Sequence, residues 1–332
     1  MCFVGKKLNN IADTQPNNTV KSGENREITE ILYHRENEKS VSEYNDQQMK
    51  LRMSGENTDN LMKDSDLANG YQRTPPMINN VDIVDNKGRT SLMNACVRGN
   101  VEIAEVLITI GSDIDKTDYE GFSPINFACR CGQIAICELL ISNGVDINKV
   151  GKTKSPLMEA CSYGHLATVL LLIDNKTFHY AVDEELQSSL FWACHGGNID
   201  IVNFLISKGC DIHMADKEGR TPLMEACSHG YLSIAEVLID KGARINQINN
   251  TGRTTFYHAC IGSNIHVTEL LVSKGCDINQ VENERMAPLM VACTKGCLPI
   301  VQLLLRHDAD IRVVSKDGRT PFLVEILILL TY

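Results

Sequence analysis

The pair Ala-Cys recurs seven times at nearly constant spacing: Ala95-Cys96, Ala128-Cys129, Ala160-Cys161, Ala193-Cys194, Ala226-Cys227, Ala259-Cys260 and Ala292-Cys293. Successive cysteines of this set lie 33, 32, 33, 33, 33 and 33 residues apart. A period of this length marks a stack of repeated units, each too small to bury its own apolar stripe. Such a solenoid grows by adding units and presents a long surface in place of one enclosed pocket. The period therefore points to binding as the mode of action.

Each unit has the same internal grammar, clearest from Asp216 to Gly230. Thr221 suits a helix N-cap, and Pro222 suits the first helical position, where its missing N–H would have no partner anyway. Five of the nine prolines, at 124, 156, 222, 288 and 321, fall at this phase. Leu223, Ala226 and Cys227 then share one helix face, and Gly230 ends a short first helix by accepting a left-handed backbone. Ile234, Val237 and Leu238 repeat the pattern in a second helix closed by Gly242. A short extended piece follows, leading to a turn at Asn249-Asn250-Thr251-Gly252.

These residues resemble the ankyrin repeat, whose pattern runs Asp-x-x-Gly-x-Thr-Pro-Leu-His-x-Ala, two antiparallel helices, then Gly-Ala-Asp-Val-Asn in a protruding β-hairpin. The chain carries Gly-Arg-Thr-Pro-Leu-Met at 219–224 and Gly-Val-Asp-Ile-Asn at 144–148, with close variants at 111–115 and 275–279. The resemblance covers about residues 79–332 and implies an all-α ankyrin-repeat solenoid. Seven full repeats are expected over about 86–315, with partial repeats at both ends. The family histidine after Thr-Pro-Leu is absent, replaced for example by Met93, Asn126, Met158 and Met224. Turns less firmly tied than in the family are the expectation, with methionine filling the gap by packing.

Residues 1–78 are polar and non-repeating, and too poor in apolar side chains to bury a core, so they read as a largely disordered N-terminal arm. At the other end, the apolar run Phe322 to Leu330 looks like a first helix without its second, and points to an array truncated at its C-terminus. That run is interrupted by Glu325 and falls far short of the ~20 residues a membrane helix needs. The first residues, Met1 to Lys7, hold no apolar stretch of signal-peptide length, and membrane insertion is not expected. The protein is expected in the cytoplasm, with the nucleus as a second compartment.

The chain has 332 residues and a net charge of −10. With no basic stripe, this argues against nucleic acid as the partner. Thirteen cysteines would suggest disulfides in a small secreted chain. Equivalent stacked helices, however, sit roughly 8–10 Å apart, too far for bridges that need Cα atoms within about 7 Å. The periodic cysteines read as small buried side chains in a reducing compartment; Cys131, Cys210 and Cys276 are less constrained. No paired Cys-x₂-Cys zinc spacing, HExxH or nucleophile motif appears. No metal, cofactor or catalytic residue is expected, and the chain reads as a non-enzyme.

In the family, partners lie along a concave face of hairpin tips and first helices. Carried over, the tips supply Tyr119, Phe122 and Arg220, and the first helices supply Phe127, Arg130, Tyr163, Trp192, His195, Glu225, His229 and His258. Aromatic and arginine side chains dominate protein interfaces, and Trp192 is the only tryptophan. Its unit is irregular: Lys176 and Leu186 stand where glycines are expected, and Ser188-Ser189 replaces Thr-Pro. Asn148 and Asn279, each after Asp-Ile, resemble ankyrin asparagines that an asparaginyl hydroxylase modifies; a turn role competes. The expected function is a protein-binding scaffold or adaptor. The alternative is a fragment of a larger enzyme or channel, such as the substrate-recognition part of a ubiquitin ligase or a kinase.

Overall fold

The computed structural model describes residues 81–148 and 154–321. The expected N-terminal arm and the apolar stretch after Pro321 lie outside the described residues. Among the described residues there are fourteen helices in seven pairs. They are α1 (Ser91–Arg98), α2 (Val101–Thr109), α3 (Pro124–Arg130), α4 (Ile134–Ser142), α5 (Pro156–Ser162), α6 (Leu166–Asp174) and α7 (Ser189–Gly196). They continue as α8 (Ile199–Ser207), α9 (Pro222–Ser228), α10 (Leu232–Asp240), α11 (Thr255–Gly262), α12 (Ile265–Ser273), α13 (Pro288–Thr294) and α14 (Leu298–Arg306). Odd-numbered first helices pack on one another, and even-numbered second helices form the other layer.

Local chemistry sets the helix starts. The Thr221 hydroxyl accepts from Met224 N at 3.2 Å, with Pro222 at the first helical position. Ser155 and Thr90 cap α5 and α1 in the same way. All seven cysteines of the Ala-Cys set are buried, six of them completely. The described cysteines carry no disulfide. Burial raises the thiol pKa of Cys96, Cys161 and Cys227, as expected for a neutral group kept from water. The repeat thus uses cysteine as a small apolar spacer where first helices touch. The contact is closest at the ends of α7 and α11, where a Cβ on Gly196 or Gly262 would collide with the Cys161 or Cys227 carbonyl of the preceding unit.

The tips are tight turns, and no strand forms among the described residues; only two isolated bridges, Val182 with Ser188 and Ile248 with Thr254, have β pairing. Hydrogen bonds within and between the tips hold these turns. At six of the described turns an acid or asparagine at the start gathers the N–H groups, and at the last Ser315 does so through its hydroxyl. Asp118 Oδ1 accepts from Glu120 N at 3.0 Å and Phe122 N at 2.8 Å, and Asn249 Oδ1 accepts from Arg253 N at 2.8 Å. Neighbouring tips are stitched by backbone bonds such as Asn250 N to Glu218 O and Asn283 N to Thr251 O, both 2.9 Å. At the histidine position, Met93 and Met158 turn their sulfur to the N-cap N–H, and Asn126 Nδ2 donates to Lys154 O of the next unit at 3.0 Å.

The irregular fourth unit keeps the common backbone. Lys176 and Leu186 adopt φ of 64° and 59°, the left-handed conformation that glycine holds at most equivalent turns and that Asp308 and Arg285 also adopt. That conformation costs a non-glycine residue about 1–2 kcal/mol. The stack imposes the turn on a sequence that does not favour it.

Candidate functional site

Two positions of each first helix build a staggered ladder along the array. One lies two residues before the periodic cysteine and is occupied by Phe127, Glu159, Trp192, Glu225 and His258 in successive units; the other lies one residue after it. The later position of one unit meets the earlier position of the next. Arg130 reaches the fully buried Glu159 with Nε–Oε2 at 2.9 Å and Nη2–Oε1 at 3.3 Å. His195 Nδ1 lies 2.9 Å from Glu225 Oε1. Between these two pairs the later position is Ser162, and the space it leaves admits Trp192. Lys154 Nζ occupies the same space, 3.2 Å from Ser162 Oγ and 3.4 Å from the centre of the Trp192 ring. Burial pushes Lys154 below its ordinary pKa, with Glu159 opposing that shift.

Trp192 is held on its other side as well, its Nε1 donating to Asp183 Oδ2 at 2.9 Å. From it a chain of rings crosses into the next unit. Trp192 meets His195 edge-on at 5.2 Å, His195 meets His229 at 4.7 Å, and His229 stacks on Tyr231 at 5.6 Å. Tyr163, 54% exposed, stands in the preceding unit with the Arg130 guanidinium 5.8 Å from its ring centre. Arg130, Tyr163, Trp192, His195, Glu225 and His229 are therefore linked across four units. Arg220 joins them from the tip, with Nη1 3.9 Å from Glu225 Oε2 and Nη2 2.8 Å from Asp216.

Glu225 is buried, and burial works against its charge. The hydrogen bond from His195, with the charges of His229 and Arg220, outweighs it and holds the carboxyl below its usual range. His229 is also fixed by its own helix, its Nδ1 3.1 Å from the Glu225 carbonyl oxygen.

Four residues expected on the binding face are instead buried: Phe122, Phe127, Glu225 and His258. Phe122 and Phe127 pack together beneath Arg130, whose guanidinium lies 4.3 Å from the Phe122 ring centre. Glu225 and His258 occupy the earlier ladder position, which the preceding unit covers. Tyr119, 68% exposed, stays on the surface but lies apart from the ring chain. A second exposed aromatic pair, Phe178 and Tyr180, stacks at 5.6 Å in the irregular tip. Asn148 and Asn279 accept from the next unit, from Phe178 N and Asp310 N, each at 2.8 Å. Their side chains tie turns together, and the hydroxylation reading rests on the resemblance alone.

The expectation of no metal ligand rests on spacing along the chain. Across a unit boundary, His195, Glu225 and His229 converge, with one potential ligand atom from each all within 4.8 Å of one another. Their separations of 30 and 4 residues match no short motif. The signal that finds them is the staggered pairing of the two ladder positions.

A family model described as ankyrin repeats (3 copies) matches residues 67–151, 157–249 and 246–317, well over half of the chain. No curated protein matches it. Among the described residues, no helix is long and apolar enough to cross a membrane.

Proposed function

Because this chain belongs to the ankyrin-repeat family, a class of modules that generally bind other proteins, we propose that it is a non-enzymatic scaffold or adaptor. Its partner would be a protein segment held on the concave face of first helices and tips. The observation that carries this reading is the ring chain from Trp192 through His195 and His229 to Tyr231, flanked by exposed Tyr163. Aromatic side chains on rigid helices supply large contact area at small entropic cost, the character of interface hot spots. The rings are set in place by internal partners before any ligand arrives, which lowers the ordering cost of binding.

Affinity capture from cell extract with the full chain and with Tyr163→Ala, Trp192→Ala and the double variant tests the proposal. Tyr163 is exposed, so its variant reports on binding with little risk to the fold. Trp192 anchors Asp183 and Lys154, so its variant is checked first for unchanged helical circular dichroism. The reading expects proteins retained by wild type to be lost from Tyr163→Ala and more completely from the double variant. An identical retained set for all four proteins would refute this location of the binding face.

A further inference from the structure

We propose that His195, Glu225 and His229 form a binding site for a zinc-type divalent ion. Two imidazoles and one carboxylate are a set that transition ions of this class accept, whereas magnesium and calcium favour all-oxygen sites. Among the described residues this is the one place where three such side chains bring ligand atoms together.

The geometry is close to what the ion requires. Zinc lies about 2.0–2.2 Å from nitrogen and oxygen ligands in tetrahedral array, so its ligand atoms stand roughly 3.3 Å apart. His195 Nδ1 and Glu225 Oε1 are 2.9 Å apart, His229 Nδ1 and Glu225 Oε1 are 3.6 Å apart, and no separation in the trio exceeds 4.8 Å. The remaining contraction is within reach of side-chain rotation, because both imidazoles are partly open to solvent while the carboxylate is buried. Glu225 fixes the floor of the site and the histidines close over it.

The surroundings bear on affinity in both directions. The Arg220 guanidinium lies 3.9 Å from the carboxylate and opposes a second cation, but it is itself neutralised by Asp216 at 2.8 Å and Glu218 at 3.3 Å. His229 Nδ1 now lies 3.1 Å from the Glu225 carbonyl oxygen and 3.2 Å from the Ser228 hydroxyl, contacts it would give up to turn its lone pair to the ion. Three protein ligands leave one tetrahedral position for water on the exposed side. The site bridges α7 and α9, so the ion would also cross-link the fourth and fifth units.

The test is zinc titration of the full chain by calorimetry, with accessible thiols first blocked by N-ethylmaleimide so that cysteine binding is removed. The expected result is one equivalent bound by wild type. Affinity should fall at least about 100-fold in His195→Gln and in His229→Gln, given that loss of even an outer-shell partner costs 10–100-fold. Absence of binding by wild type, or equal binding by wild type and both variants, would overturn the proposal. A readout on wild type alone removes dependence on the variants' folding. Diethyl pyrocarbonate labelling with and without zinc, mapped by mass spectrometry, should show His195 and His229 protected while His213 and His266 are not. Equal labelling of His195 and His229 in both conditions would also overturn it.

Discussion

Lowering the pH from 7 to 5 should destabilise the array by about 2 kcal/mol through one residue, His258, with the loss reaching about 3 kcal/mol at pH 4. Burial is the main cause that pushes its pKa from 6.5 down to about 4, and the Arg253 and Arg220 guanidinium groups add to it against Glu225 and Asp216. The folded state therefore keeps the ring neutral while the unfolded chain takes up a proton below pH 6.5. The sign follows: this contribution is intact above the unfolded value and is lost as pH falls towards the folded one. The ring offers acid no relief within the fold, since its buried Nε2 has no hydrogen-bond partner. His258→Leu should remove this component, so the stability of wild type relative to the variant should fall by about 2 kcal/mol between pH 7 and pH 5. Urea midpoints of both proteins at pH 7, 6 and 5 measure it, and two curves that stay parallel would show that His258 is not the titrating group.

The second large effect lies one ladder step from the ring chain. Arg130→Met should cost about 3–5 kcal/mol, the loss typical of leaving one member of a buried ion pair alone. The value should fall towards the lower end, because Lys154 stays close to Glu159 and partly replaces the missing charge. Adding Glu159→Met should recover most of the loss, since two apolar side chains need no compensation. Equilibrium urea unfolding of the three proteins reads the cycle. A double variant no more stable than Arg130→Met would mean that Arg130 acts by packing on Phe122 and Phe127, with the ion pair contributing little.

These two residues also show where sequence reading stops. Thr221, Pro222, Gly230 and the Ala-Cys pairs encode helix starts, stops and contact points through local rules, and the structure places them as those rules require. Lys176 and Leu186 mark the irregular unit because the ruler of cysteines shows what should stand there. Exposure of the first-helix residues is a different matter. Trp192, Glu225 and His258 share one repeat position, yet Trp192 is half-buried beside Ser162 while Glu225 and His258 are buried. The side chain one unit earlier does not decide depth alone, since serine precedes both residues, Ser162 before Trp192 and Ser228 before His258. Chemical type alone does not encode it, so Phe127 and His258 resemble surface aromatics in the sequence and prove to be core. At the position of the absent family histidine, the Met93 and Met158 sulfurs and the Asn126 amide make contacts of their own.

In the proposed function, the ladder of first helices centred on Trp192 is the surface that holds a protein partner. Hydrogen–deuterium exchange on the full chain, free and saturated with a partner captured through it, tests this most directly. The account predicts slowed exchange in peptides spanning 154–163, 189–197 and 222–231, with the second-helix peptides 199–207 and 232–240 unchanged. Protection confined to the second helices, with the first-helix peptides exchanging as in the free protein, would contradict it.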